Sequence, residues 1–206
     1  MATKQLFKAH PWHGVPLGDD APEVVTVYVE MVPTDTVKYE IDKESGHLKV
    51  DRPQQYSNFC PALYGFLPRT FCGDEVAERA RKVTQREHLR GDGDPLDVLV
   101  LTEKTLSHGD CLLRAIPIGG FRVIDRGEAD DKLVAVLVND GVFGRQRELD
   151  ECPEVLIDRL SHYFLTYKLP PGAQTSSIEI AERYGREEAL ELIRASCRDY
   201  LKMFPY

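Results

Sequence analysis

The sequence predicts a mainly β fold with α-helices at its C-terminal end, built as a small closed or partly closed barrel. Three observations carry this. Short segments of alternating apolar residues, broken by Gly, Asp and Pro, fill residues 24 to 139. Helical apolar stripes are found only after Pro153. The 206 residues, 42% apolar and 29% charged, suit one folded domain over 1–206 with a core of its own.

The elements follow in order. Residues 1–23 carry Pro11, Gly14, Pro16, Gly18 and Pro22 and read as an irregular N-terminal arm over the surface. Val24 to Met31 alternates, with Val25, Val27, Val29 and Met31 on one side and Thr26, Tyr28 and Glu30 on the other, as in a strand. Thr36 to Ile41 alternates likewise, Glu44-Ser45-Gly46 reads as a turn, and Leu48 to Arg52 returns as the second arm of a hairpin. Pro68 to Gly91 is charged and poor in large apolar residues. It reads as a solvated surface insertion, with a lid or subunit contact as the alternative. Further strands are predicted at Asp97–Leu101, Cys111–Ile118, Gly120–Ile124 and Lys132–Asn139. Pro153 opens a helix with Leu156, Leu160, Tyr163, Phe164 and Tyr167 on one face. A second helix runs from about Arg186 to Met203, with Ala189, Leu190, Ile193, Cys197, Tyr200 and Leu201 on one face.

Composition excludes several function classes. The longest uninterrupted apolar run is six residues, Leu133 to Val138, against about 20 for a membrane helix. The first residues hold no apolar stretch of signal-peptide length, and the five cysteines form no Cys-x-x-Cys pair, so a reduced, cytoplasmic protein is expected. A net charge of −8 argues against a nucleic-acid surface. It also means that an anionic ligand needs bound cations to invert the local field.

The sharpest motif is Asp92-Gly93-Asp94-Pro95-Leu96-Asp97, ahead of the apolar run Val98 to Leu101. Three carboxylates in six residues repel one another, and a hard divalent cation such as Mg²⁺ relieves that repulsion with oxygen ligands. Asp92 and Asp97 can hold an ion from both ends of the turn. The alternative is a solvated acidic turn. A calcium EF-hand loop fits poorly, because Leu96 takes a ligand position and Asp97 the glycine position. A second acidic group, Asp125 with Asp130 and Asp131, precedes Lys132. Opposite charge comes from Lys38, on the same strand face as Glu40, from Arg52, and from Tyr167-Lys168, with Tyr64 as a hydroxyl donor. Together they suggest metal-assisted attack on a phosphate. Two other classes compete: a metal-binding recognition module on the same barrel, and a nucleotide or polyphosphate hydrolase. The first lacks the basic aromatic groove that strand-binding barrels present, and the second lacks a Walker A loop.

Over roughly residues 24 to 168 the ordered motifs resemble the soluble family I inorganic pyrophosphatases. They are Glu30, Lys38-Tyr39-Glu40-Ile41-Asp42-Lys43-Glu44-Ser45-Gly46, Val50-Asp51-Arg52, Tyr64-Gly65-Phe66, Asp92 to Val98, Asp125 with Asp130 and Lys132, and Tyr167-Lys168. The resemblance implies a five-stranded OB-like barrel flanked by C-terminal helices, and Mg²⁺-dependent hydrolysis of pyrophosphate with several ions per subunit. It implies that Asp92, Asp97 and Asp130 bind the tightest ion, Asp97 bridges to a second, and Asp125 with Asp130 helps hold a third. Glu30 and Glu40 would reach ions through water, and Asp94 would take the proton of the attacking water. Lys38, Arg52, Tyr64, Lys132, Tyr167 and Lys168 would hold phosphate. A cytoplasmic homo-oligomer with no nucleic-acid or membrane partner is expected. Two departures stand out: Tyr64 and Asp92 lie 28 positions apart, more than in many bacterial members, and Cys60 stands where many of them have a tyrosine.

Overall fold

The computed structural model describes residues 8–170, 172–173 and 176–205. Among these the chain forms ten strands and three α-helices. Five strands close on themselves. They are β1 (Val25–Met31), β4 (Leu63–Phe66), β6 (Asp97–Leu101), β9 (Lys132–Leu137) and β7 (Cys111–Asp125), and β7 pairs back onto β1. Closure leaves this ring without the open edges that a flat sheet would expose. The hairpin β2 (Val37–Ile41) and β3 (Leu48–Pro53) forms a separate two-stranded sheet. Asp42 sets its turn by accepting from the Ser45 N–H at 2.9 Å and the Ser45 hydroxyl at 2.7 Å.

The strand alternation sorts the core into two clusters. Val25, Val27, Val29, Leu63, Val98, Val100, Leu133 and Ala135 pack with Ala189, Leu192 and Ile193 of α3 (Arg186–Met203). Tyr64, Leu99, Leu101, Phe121, Val123, Val134 and Val136 pack with Ile157, Leu160, Tyr163 and Phe164 of α2 (Glu154–Thr166). The barrel with C-terminal helices is as expected.

Several elements differ from the sequence reading. Cys111–Ile118 and Gly120–Ile124 are one 15-residue strand, bent at a register shift between Pro117 and Gly119. A bulge between Val29 and Met31 carries Met31 to the α2 side, away from the valines with which it was grouped. Strand β4 was not anticipated, nor was β10 (Ile178–Gly185), which runs along β7 and leads into α3. The stretch 68–91, expected to be solvated, carries regular structure with a buried face. It forms α1 (Asp74–Thr84) and the short β5 (Arg90–Gly91), which pairs with β8 (Glu128–Ala129). Val76, Ala77, Ala80 and Leu89 are buried there. Small residues make an apolar face that a search for large side chains misses. On α3 the buried set is Ala189, Leu192, Ile193, Ala195, Ser196, Asp199 and Tyr200, while Leu201 is exposed. The polar Ser196 and Asp199 turn inward because α1 and its leading segment pack there. Residues 8–23 of the arm form turns with no regular strand or helix, and their Trp12 is buried against Tyr28, Ile41, Phe66 and Tyr200. Residues 1–7 of the expected arm lie outside the described residues.

Candidate active site

Register and alternation bring the acidic motif to the α2 side of the barrel. Asp97 opens β6 beside Lys132 at the start of the parallel strand β9. Lys132 Nζ donates to Asp97 Oδ2 at 2.5 Å and also to Asp130 Oδ1. The Tyr64 hydroxyl of β4 donates to the same Asp97 oxygen at 2.5 Å. Asp125 ends β7 and accepts from Lys168 Nζ, just beyond α2, at 2.7 Å. Lys168 Nζ lies 5.2 Å from the Tyr167 ring centre and the Arg52 guanidinium 5.9 Å from the same ring.

The loop before Asp97 is held by its own backbone. The Asp94 N–H donates to Asp92 Oδ1 at 2.9 Å, and Gly93 takes the positive φ of +76° that closes the turn. The loop is pinned to the segment leading into α1 by Cys72 N to Asp94 O (2.8 Å) and Gly93 N to Cys72 O (3.1 Å). Gly91 is needed at this contact, since a Cβ there would lie 2.1 Å from the Cys72 carbonyl oxygen.

These side chains line one cavity of about 200 Å³: Lys38, Tyr64, Asp92, Asp94, Asp97, Asp125, Asp130, Lys132, Tyr167 and Lys168. A smaller adjoining cavity of about 110 Å³ adds Glu30 and Glu40 and shares Lys38, Tyr64, Asp94 and Asp97. Glu40 accepts from Lys38 Nζ at 3.0 Å. Arg52 is the one expected site residue lining neither; its guanidinium lies over the Tyr167 ring and pairs with Asp51.

The electrostatics are those of packed carboxylates in low dielectric. Burial, then the charge of Asp130, pushes Asp92 well above the usual carboxylate range. Burial raises Asp130 too, although Lys132 opposes it. Glu30, 5% exposed, is pushed up to about 8 by burial and then by the charge of Asp97, against the Ile41 N–H that it accepts at 2.7 Å. Burial alone would lower Lys132, but Asp130 and Asp97 outweigh it and hold the ammonium well above its ordinary value.

Among the described residues no three acidic, histidine or cysteine groups converge closely enough to hold an ion as they stand, and Lys132 lies between Asp97 and Asp130. The donor set nevertheless fits a hard divalent cation. It consists of oxygens, its buried carboxylates repel one another, and Asp125 Oδ1 is buried with no hydrogen-bond partner.

A family model described as inorganic pyrophosphatase matches residues 27–201. The chain belongs to the inorganic pyrophosphatase family. An inorganic pyrophosphatase of Chlamydia trachomatis is 50% identical over 208 aligned positions, covering 99% of this chain and 100% of the relative. Soluble inorganic pyrophosphatase 1 of Arabidopsis thaliana is 35% identical, covering 94% and 81%. The crystal structure of the Thermus thermophilus inorganic pyrophosphatase superposes with a TM-score of 0.76 at 29% identity, over 94% of this chain and 99% of that one. The barrel of this pyrophosphatase-family chain is thus the five-stranded OB-like fold. The matched range runs through the 68–91 stretch.

Several groups at the site of this family member lie outside the residues its sequence motifs pointed to. Met31, Glu128, Tyr163 and Phe164 also line the cavity. Tyr163 stacks on Tyr167, ring centres 5.2 Å apart, and the spacing of four on one helix is the signal that pointed to it. Lys43 pairs with Asp94, and Asp51 lies 3.5 Å from Lys38 Nζ; both sit inside quoted motifs but received no role. Cys60 is buried, and burial pushes its thiol up to about 12.

Proposed function

We propose that this chain hydrolyses inorganic pyrophosphate to two phosphates with Mg²⁺ as cofactor, several ions per subunit, through a water deprotonated by Asp94. The observation that carries the reading is the convergence of five aspartates with Lys38, Lys132 and Lys168 on one cavity. Asp92, Asp97 and Asp130 would hold the tightest ion, with Asp97 reaching a second, Asp125 and Asp130 a third, and Glu30 and Glu40 acting through water. Bound divalent ions supply charge neutralisation at the phosphate oxygens and acidify the attacking water.

The chain's own residues do the rest. Asp94, half-exposed and lining the cavity, would accept the water proton as the new P–O bond forms and the bridging P–O bond breaks, the bridging oxygen departing with the second phosphate. Lys132 and Lys168 meet phosphate oxygens as fixed positive charges, and Lys38 does so from the hairpin side. Tyr64 and Tyr167 would supply hydroxyl donors, and Arg52, whose guanidinium lies over the Tyr167 ring, would pair with the leaving phosphate. No helix among the described residues is long and apolar enough to cross a membrane. Cytoplasmic residence and homo-oligomeric assembly belong to the same proposal, tested by fractionation and light scattering.

The deciding experiment is phosphate release from pyrophosphate with and without Mg²⁺, on wild type and Asp94→Asn. Magnesium-dependent release that falls by about 10²–10⁴-fold in the variant, with Mg²⁺ binding retained, is the expected result. Folded wild type that releases no phosphate with any divalent ion would overturn the reading.

A further inference from the structure

We infer that Arg122 is a positioning residue for the site, acting through Asp131; the inference rests on the metal-binding reading above. Arg122 and Asp131 are both fully buried, and Arg122 Nη1 lies 3.1 and 3.3 Å from the two Asp131 oxygens. Arg122 Nη2 donates to Glu188 Oε1 of α3 at 2.5 Å. Glu188 also accepts from Arg79 Nε of α1 at 2.8 Å. The Tyr184 ring centre lies 5.1 Å from the guanidinium carbon. An anchor therefore runs from two helices to a single aspartate.

That aspartate sits between two residues of the candidate site. Asp130 and Lys132 face the cavity on the α2 side. Asp131 points the other way, toward the α3 side that Leu133 shares. On β7 the same alternation sends Phe121 and Val123 to the α2 cluster and Arg122 to the anchor, while Val123 O accepts from the Asp130 N–H at 2.9 Å. Turning Asp131 about the chain axis would swing Asp130 and Lys132 out of register together.

A buried ion pair is not the economical way to stabilise a core, because apolar residues of similar volume often do as well. What the pair supplies is direction. Arg122 Nη1 donates to Asp131 Oδ2 and stands 3.1 Å from Oδ1, and this fully buried ion pair restricts the rotation of Asp131, which a leucine–methionine contact would not. Partners behind ligating residues typically contribute about 10–100-fold to metal affinity.

The test is Mg²⁺ binding by calorimetry, beside thermal unfolding, on wild type and the double variant Arg122→Met/Asp131→Leu. The double variant removes both buried charges, so stability near wild type with Mg²⁺ binding at least about tenfold weaker is expected. Stability and Mg²⁺ binding that both match wild type would overturn the inference. Should the double variant not fold, Glu188→Gln decides. That change cuts the α3 anchor at a partly exposed position, and several-fold weaker Mg²⁺ binding is expected against unchanged binding as the contrary result. Wild type that binds no Mg²⁺ at all would instead defeat the metal-binding reading beneath the inference.

Discussion

Replacing Asp199 by alanine is expected to destabilise the fold by about 3 kcal/mol. Gly73 precedes the first residue of helix α1 and has no side chain with which to cap it. The cap comes from α3 instead. Asp199 is 3% exposed, and its carboxylate accepts from the N–H groups of Gly73 (3.1 Å), Glu75 (2.9 Å) and Val76 (3.1 Å). A lost cap with its charge at the helix N-terminus costs about 1 kcal/mol, and the buried Val76 N–H left without a partner about 2 kcal/mol more. For a chain of this size that is a fall in Tm of about 6–12 °C, read by circular dichroism or calorimetry. Asp199→Asn keeps an acceptor oxygen and should lose about a third as much. Because Cys72, next to the capped Gly73, carries the backbone pairing to Gly93 and Asp94, the alanine variant should need more Mg²⁺ for half-maximal activity. An Asp199→Ala protein that melts with wild type would refute the capping argument.

Gly91→Ala places a Cβ 2.1 Å from the Cys72 carbonyl oxygen, so both the Tm and Mg²⁺ binding should fall; a variant with neither change would mean that the loop adapts freely. Asp140, 8% exposed, accepts from Thr102 Oγ1 and from the N–H groups of Glu103, Val142 and Phe143. Burial alone would raise its carboxyl, but these donors hold it at about 2, below an unfolded value of 3.8. The pair of values is worth about 2 kcal/mol, fully present above about pH 5 and lost as pH falls toward 2. The stability gap between wild type and Asp140→Asn should therefore close in acid, and a gap independent of pH would contradict the assignment. Mg²⁺ at about 100 times its Kd should stabilise the folded chain by about 2.7 kcal/mol, removable with a chelator and smaller in Asp97→Ala. Equal stabilisation of the two proteins would argue against Asp97 as a ligand.

What could be read in advance was what lies close along the chain. Asp92 to Asp97 carries its chemistry within six residues, and Lys38 with Glu40 follows from strand parity. Helices α2 and the length of α3 were legible from large apolar residues at helical spacing. Illegible features depend on partners far away in sequence. The start of α1 shows only in the acidic Asp74 and Glu75 of its first turn, because its capping side chain is the distant Asp199, and the buried face of α1 consists of Val76 and two alanines. The inward turn of Ser196 and Asp199 follows from that same docking. The bulge that re-aims Met31 depends on pairing with β4, itself only four residues long. Arg122 falls inside the expected strand Gly120–Ile124 with no local signal of burial, and only the approach of α3 makes it the buried centre of an ion network.

The pairing of charges at the site has a further consequence. Each lysine aimed at the cavity is already engaged: Lys132 with Asp97 and Asp130, Lys168 with Asp125, and Lys38 with Glu40. An anion can take these ammonium groups only if the carboxylates gain another counter-charge, because a buried carboxylate stripped of its partner is strongly destabilising. Anion and divalent cation should therefore bind cooperatively, although the chain's net charge of −8 disfavours the anion alone. Linkage fixes the form of the result. Mg²⁺ should tighten a non-hydrolysable pyrophosphate analogue by the same factor by which the analogue tightens Mg²⁺. Lys132→Met removes the ammonium held by two carboxylates, so in that variant the coupling should shrink while Mg²⁺ alone binds at least as well as to wild type. Analogue binding that ignores Mg²⁺ would show instead that the anion sits away from these lysines.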